Sequence, residues 1–79
     1  MRMIEKVNNY LVDKEYKIIV KKNQVDIINY DEIVDFNLEK ITLRHNKTLI
    51  IVEGKKLYIS KMLDNEVLIK GFVFNIRIN

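Results

Sequence analysis

The chain has 79 residues, no cysteine and a single histidine, so it carries neither a disulfide framework nor the four N or S ligands of a closed zinc site. Its net charge is only +3, with Lys and Arg interleaved among Asp and Glu in blocks no longer than two, so the chain is no polycation, and a solvated surface explains the charges better than a phosphate-tracking stripe. At 48% hydrophobic residues a core can form, although a domain this small buries only about 60% of the surface its unfolded chain exposes.

Met3, Val7, Tyr10 and Leu11 fall at helical spacing, with Ile4 beside them and Glu5, Lys6, Asn8 and Asn9 opposite. This predicts a short amphipathic helix over 3–12, which is marginal alone and needs something to pack on. The opening residues lack the continuous apolar stretch of a secretion signal. No apolar run approaches the ~18 residues that cross a bilayer. The expected location is the cytoplasm.

From Tyr16 the period becomes two, the mark of strands. Ile18 and Val20 share one face, Lys17 and Lys21 the other, and Asn23 offers a turn. Val25 and Ile27 form the inner face of the next strand. A short third strand puts Ile33 and Asp35 on one face, Val34 and Phe36 on the other. Asn37-Leu38-Glu39-Lys40 connects it to a strand in which Ile41, Leu43 and His45 oppose Thr42 and Arg44. Asn46-Lys47 and Gly54-Lys55 read as hairpin turns, because Asn and Gly tolerate φ > 0. Between them runs Thr48 to Glu53, with Lys56 to Ser60 beyond. Glu66 to Lys70 follows, Gly71 breaks or bends the chain, and Phe72, Phe74, Ile76 and Ile78 close it opposite Val73, Asn75 and Arg77.

Leu49-Ile50-Ile51-Val52 is apolar on both faces, which a half-solvated strand does not need. Either the helix covers one face and other strands the second, or one face meets another subunit or partner.

Nothing pairs a nucleophile with a base. His45, the sole imidazole, sits at a strand end within reach of water or a backbone carbonyl. Asp31, Glu32 and Asp35 read as turn and edge charges rather than an acid–base pair. Ser60 has no nucleophile elbow around it. Lys70-Gly71-Phe72-Val73-Phe74 opens like the aromatic strand of an RNA-recognition module, then departs from it at Val73, Asn75 and Arg77. Gly54-Lys55-Lys56 lacks the upstream Gly and following Ser or Thr of a phosphate loop.

The order of these signals resembles the YabP/YqfC sporulation protein family of endospore-forming Firmicutes, with YqfC-like members closer in length and leading helix. The resemblance rests on the leading helix, the isoleucine-rich strand with its turn, Ile33-x-x-Phe36 and the Lys-Ile-Thr-Leu run at 40–43. It continues through the central Leu49…Gly54-Lys55…Leu57-x-Ile59 with one extra residue, and Glu66-Val-Leu-Ile-Lys-Gly71 before Phe-Val-Phe-Asn-Ile. Asn29-Tyr30 departs from it, where members often place a Gly. The resemblance implies a non-enzymatic protein of the mother-cell cytoplasm, peripheral to the forespore membrane. It would be needed for spore formation or coat assembly and would work with a membrane protein of that pathway.

The expected fold is mostly β (α+β), a single domain over 1–79: the helix, then a curled antiparallel β-meander or roll of about six to seven strands over 16–78. Unpaired edges and the doubly apolar strand predict a homo-oligomer. The expected mechanism is recognition of a protein partner through Leu49, Ile51, Tyr58, Phe72 and Phe74, with Asn46, Gly54 and Gly71 as structural turn residues. No catalytic residue, metal, cofactor or small-molecule substrate is expected. The alternative is a small single-stranded nucleic-acid-binding β module using Lys55, Lys56, Lys70 and Arg77.

Overall fold

A computed structural model describes residues 15–79; the helix expected over 3–12 lies outside the described residues. Six strands follow in order: β1 (Lys17–Lys21), β2 (Gln24–Ile28), β3 (Glu32–Phe36), β4 (Lys40–His45), β5 (Thr48–Leu63) and β6 (Glu66–Ile78). All pair antiparallel in one sheet of order β1-β2-β6-β5-β4-β3. The sheet does not close, and β1 and β3 are its edges.

The chain is therefore not a simple meander. β3 to β6 do run as one, but the β1–β2 hairpin joins the far side of β6. Strand length explains this. β5 has 16 residues and β6 has 13. β4 covers β5 only over Thr48–Glu53, while β2 takes the first part of β6, Glu66–Lys70. The long β5–β6 hairpin thus carries a different partner strand on each half.

Between the halves the hairpin bends. The pairing slips three times: at Phe74 on β6, between Lys55 and Tyr58 on β5, and at Ser60 on β5. Each slip is a bulge, which sharpens the local twist and turns the strand. Lys56 sits in the bend at φ 54, and Gly71 faces it at φ 126. Gly54 is not a hairpin turn, because β5 runs straight through Gly54-Lys55. The positive φ expected at Gly54 falls on Lys56 instead. Gly54 has a different reason to lack a side chain, since its Cβ would overlap the Phe72 carbonyl oxygen.

The bend lets one sheet bury its own inner face. Val25 and Ile27 of β2, Val67 and Ile69 of β6, Ile41 and Leu43 of β4, Ile50, Val52 and Leu57 of β5 form a single buried cluster. The end of β2 is tied across to the end of β4. His45 Nδ1 donates to the Asn29 carbonyl at 2.8 Å, and the Asp31 amide donates to the Arg44 carbonyl at 2.7 Å.

Bulges also redistribute two faces that simple alternation assigns otherwise. A slip at Val34 puts Ile33 opposite Leu43 and Phe36 opposite Ile41, so Ile33 and Phe36 share a face. The bulge at Phe74 lets both Val73 and Ile76 pack on the core, while Phe72 and Phe74 stay exposed.

Asn46 occupies the β4–β5 turn at φ 57. Asn46→Ala should cost about 1 kcal/mol, because a Cβ-bearing residue without a turn-forming side chain is unfavourable in the left-handed region. Asn46→Gly should be near neutral. Urea unfolding of the two variants checks this; equal losses would assign the effect to the lost side chain rather than to φ.

Candidate interaction surface

The bend that closes the core also pushes large apolar side chains outward. Phe72 is 59% exposed, Phe74 56% and Tyr58 54%. The two phenylalanine rings meet edge to face, 5.3 Å between centroids. Phe72 and Phe74 reach the surface because the bulge turns both away from the core side that Val73 and Ile76 occupy.

The β3–β4 connection is clamped over the same bend. The Gly54 amide donates to the Glu39 carbonyl at 3.0 Å and the Leu57 amide to the Leu38 carbonyl at 2.8 Å. Asn37 holds the connection's shape, its Oδ1 accepting from the amides of Glu39 and Lys40 at 2.8 and 2.9 Å. Phe36 and Leu38 are thereby held out on either side of Asn37, 64% and 66% exposed.

Two grooves flank Asn37. One, of about 430 Å³, is apolar and lined by Phe36, Leu38, Leu57, Tyr58 and Ile59. The other, of about 560 Å³, is mixed, with Glu39, Lys40, Glu53 and Lys55 around Phe74. Together they make a surface of aromatic and aliphatic side chains with charged groups along one side.

The five residues expected at an interface do not gather in one place. Tyr58, Phe72 and Phe74 lie around the bend. Leu49 and Ile51 lie on the outer face of the other half, where Ile51 is only 7% exposed beside Thr42 and Leu49 is half-buried. Within a single chain that second apolar face is already closed at Ile51. Phe36 and Leu38 belong to the surface and were not expected there. An apolar residue in the otherwise polar Asn37-Leu38-Glu39-Lys40 connection is the one signal that marks Leu38.

The four cations expected for nucleic acid also divide. Lys55 pairs across the strands with Phe72, Lys70 pairs with Tyr58, and Lys56 sits between them in the bend. Arg77 lies apart, bonded to Glu53 at 3.2 Å. Glu53 also accepts from Asn75 Nδ2 at 2.9 Å. The Asn75 bond, with the Arg77 charge beside it, holds the Glu53 carboxyl below its ordinary value.

The other polar groups are structural in geometry. The His45 ring donates through Nδ1 to Asn29 and lies 5.4 Å from the Tyr16 ring. Asp31 accepts from the Asn46 amide at 2.6 Å, and Arg44 spans Glu32 at 3.2 Å and Asp31 at 3.7 Å. No group of three or more His, Cys, Asp or Glu among the described residues is arranged to hold a metal ion.

On the outer face of β2 and β6, Asp26 and Glu66 stand close enough for their carboxyls to interact. One Asp26 oxygen, Oδ1, is buried without a partner. A hydrogen bond from Glu66 to Asp26, then desolvation, raises the Glu66 carboxyl above its ordinary value. Protonation of Glu66 therefore favours the folded state: this contribution grows as pH falls through the raised value and is absent at neutral pH. Glu66→Gln should remove that pH dependence and leave the protein at least as stable at neutral pH. Thermal midpoints on either side of the titration check it, and a lower neutral midpoint for the variant would contradict the sign.

A family model described as the YabP family matches residues 13–79. No curated protein and no solved structure matches the chain.

Proposed function

Because the chain belongs to the YabP family, we propose that it serves spore formation as a non-catalytic recognition module, docking a protein partner on the aromatic surface around its β5–β6 bend. The observation that carries this reading is the exposure of Phe36, Leu38, Tyr58, Phe72 and Phe74, each more than half open to solvent around one bend. Clustered exposed apolar side chains mark interaction sites, whereas scattered ones need no explanation. Aromatic residues are the usual anchors of such contacts. Family membership supports a sporulation-related role. The partner of best fit is a membrane protein of that pathway, met from the mother-cell side, and spore coat assembly is the process it would serve.

The test begins with a deletion strain. Its heat-resistant spore count should fall, and the intact gene should restore it. A gene carrying Phe72→Asp with Phe74→Asp should fail to restore it while the purified protein keeps its unfolding midpoint. Neither ring is in the buried core, so the fold should survive. Loss of an anchor worth about 2 kcal/mol weakens capture of the partner roughly 30-fold. Full restoration by the doubly substituted gene would remove the bend from the interface.

A second reading rests on the two cross-strand pairs, Lys55 with Phe72 and Lys70 with Tyr58. Cations interleaved with aromatic rings are how single strands are held without sequence preference. Titration of a labelled single-stranded oligonucleotide separates the readings. Binding that weakens steeply with salt would favour nucleic acid; no binding at low salt ends it.

A further inference from the structure

The two edges of the sheet are chemically opposite. β1 carries Lys17 and Lys21, with Lys22 in the turn beyond, and β3 carries Glu32 and Asp35, with Asp31 just before it. No described strand pairs with the outer side of either one. Both have the same pattern of exposure, with only the second residue, Ile18 or Ile33, half-buried and packed on the core.

The faces correspond as well as the charges. Ile18 and Val20 of β1 lie opposite Ile27 and Val25, on the core side of the sheet. Ile33 and Phe36 of β3 lie opposite Leu43 and Ile41, also on the core side. Lys17 and Lys21 project from the other side of β1. Glu32 and Asp35, opposite Arg44 and Thr42, project from that same side of β3. We propose that β1 of one copy pairs with β3 of the next, so that the sheet continues from chain to chain, head to tail. In that pairing Val20, 61% exposed, and Phe36, 64% exposed, extend the apolar face across the junction. The lysines of β1 meet the carboxylates of β3 on the other face. Glu32 is shared with its own Arg44 at 3.2 Å, so Asp35, which makes no ion pair among the described residues, is the main acidic contact.

The same charges exclude the symmetric alternatives. β1 against β1 would set Lys against Lys, and β3 against β3 would set carboxylate against carboxylate. Like charges directly opposite destabilise a strand pair. A junction of two different edges is heterologous, and repeats until it closes into a ring or runs on as a filament. This assembly uses the edges rather than the aromatic bend, and stands or falls separately from the proposed partner.

Sedimentation velocity of the full chain across a concentration series at low salt is the test. Wild type should show mass rising with concentration through a ladder of species, and added salt should lower it by screening exposed charges. Lys17→Glu with Lys21→Glu makes both edges acidic, and Asp35→Lys with Glu32→Gln makes both basic. Each variant alone should lose the concentration dependence. Mixed in equal amounts they should regain it, because every junction is again between opposite edges. Asp35→Lys alone leaves the Arg44 contact intact, and controls for loss of fold. A wild type that stays monomeric throughout would overturn the proposal, leaving the edge lysines as blocks against pairing. So would assembly that stops at a dimer, or association that persists in either variant.

Discussion

Gly71→Ala should lower stability by about 3 kcal/mol or more, enough to threaten a domain whose total is about 4–12 kcal/mol at this length. Two costs coincide. The residue sits at φ 126, where L-residues are rarely found, and holding one there costs about 1–3 kcal/mol. Its new Cβ would also stand 2.6 Å from the Lys56 carbonyl oxygen and 2.9 Å from the Leu57 Cα. Both contacts are backbone, so no side chain can swing aside. The strands would have to part at the bend, where the two halves of the hairpin meet. Gly54→Ala meets a similar obstacle in the Phe72 carbonyl. The chain has only two glycines, and both are at this corner. Lys56→Gly is the converse change. It removes a Cβ from φ 54 and should stabilise by up to about 1 kcal/mol. Urea midpoints for the three variants check the set. A Gly71→Ala protein within about 0.5 kcal/mol of wild type would mean that the corner relaxes, and that its geometry is not fixed by these contacts.

That corner also shows where sequence reasoning stops. β2 and β4 are legible because nothing interrupts their alternation: Val25 and Ile27, then Ile41 and Leu43, are assigned to the inner face and are fully buried. β5 and β6 are not legible as long strands. A bulge and a turn use the same local chemistry, a glycine beside a residue at φ > 0, so Gly54-Lys55-Lys56 reads as a turn although the strand continues. Bulges also change the phase of alternation, which is why Phe36 and Ile76 lie on faces that a strict period of two does not assign them. The pairing of β2 with β6 joins residues some forty positions apart, and no local pattern encodes it. Of the exposed residues around the bend, Tyr58, Phe72 and Phe74 are among those the sequence offers as contact residues. Phe36 is not, because a strict period of two groups it with Val34, and only the Val34 slip sets it opposite Ile41 at the rim of the apolar groove. Leu49 and Ile51 carry the same surplus yet are buried or half-buried, since alternation cannot separate a covered outer face from a docking face.

Ile27→Ala should cost about 2–5 kcal/mol, the range for truncating a fully buried isoleucine where neighbours cannot collapse into the space. Ile27 is 0% exposed and lies in the β2 half of the cluster; Leu43, also 0% exposed, lies in the β4 half. Ile19, on the outer face of β1 and 38% exposed, is the control, and truncating it should cost less than about 1 kcal/mol. The informative variant is the double one. If the bend folds the sheet onto itself so that both halves share one core, a cavity at Ile27 and a cavity at Leu43 relax into each other. Their joint cost should then differ from the sum by about 0.5 kcal/mol or more. If the halves were separate, each covered from its own side, the two costs would add. A clean sum in urea unfolding would therefore count against the roll itself. It would also remove the reason that Phe72, Phe74 and Tyr58 are pushed outward, since their exposure follows from the turn that brings the inner faces together.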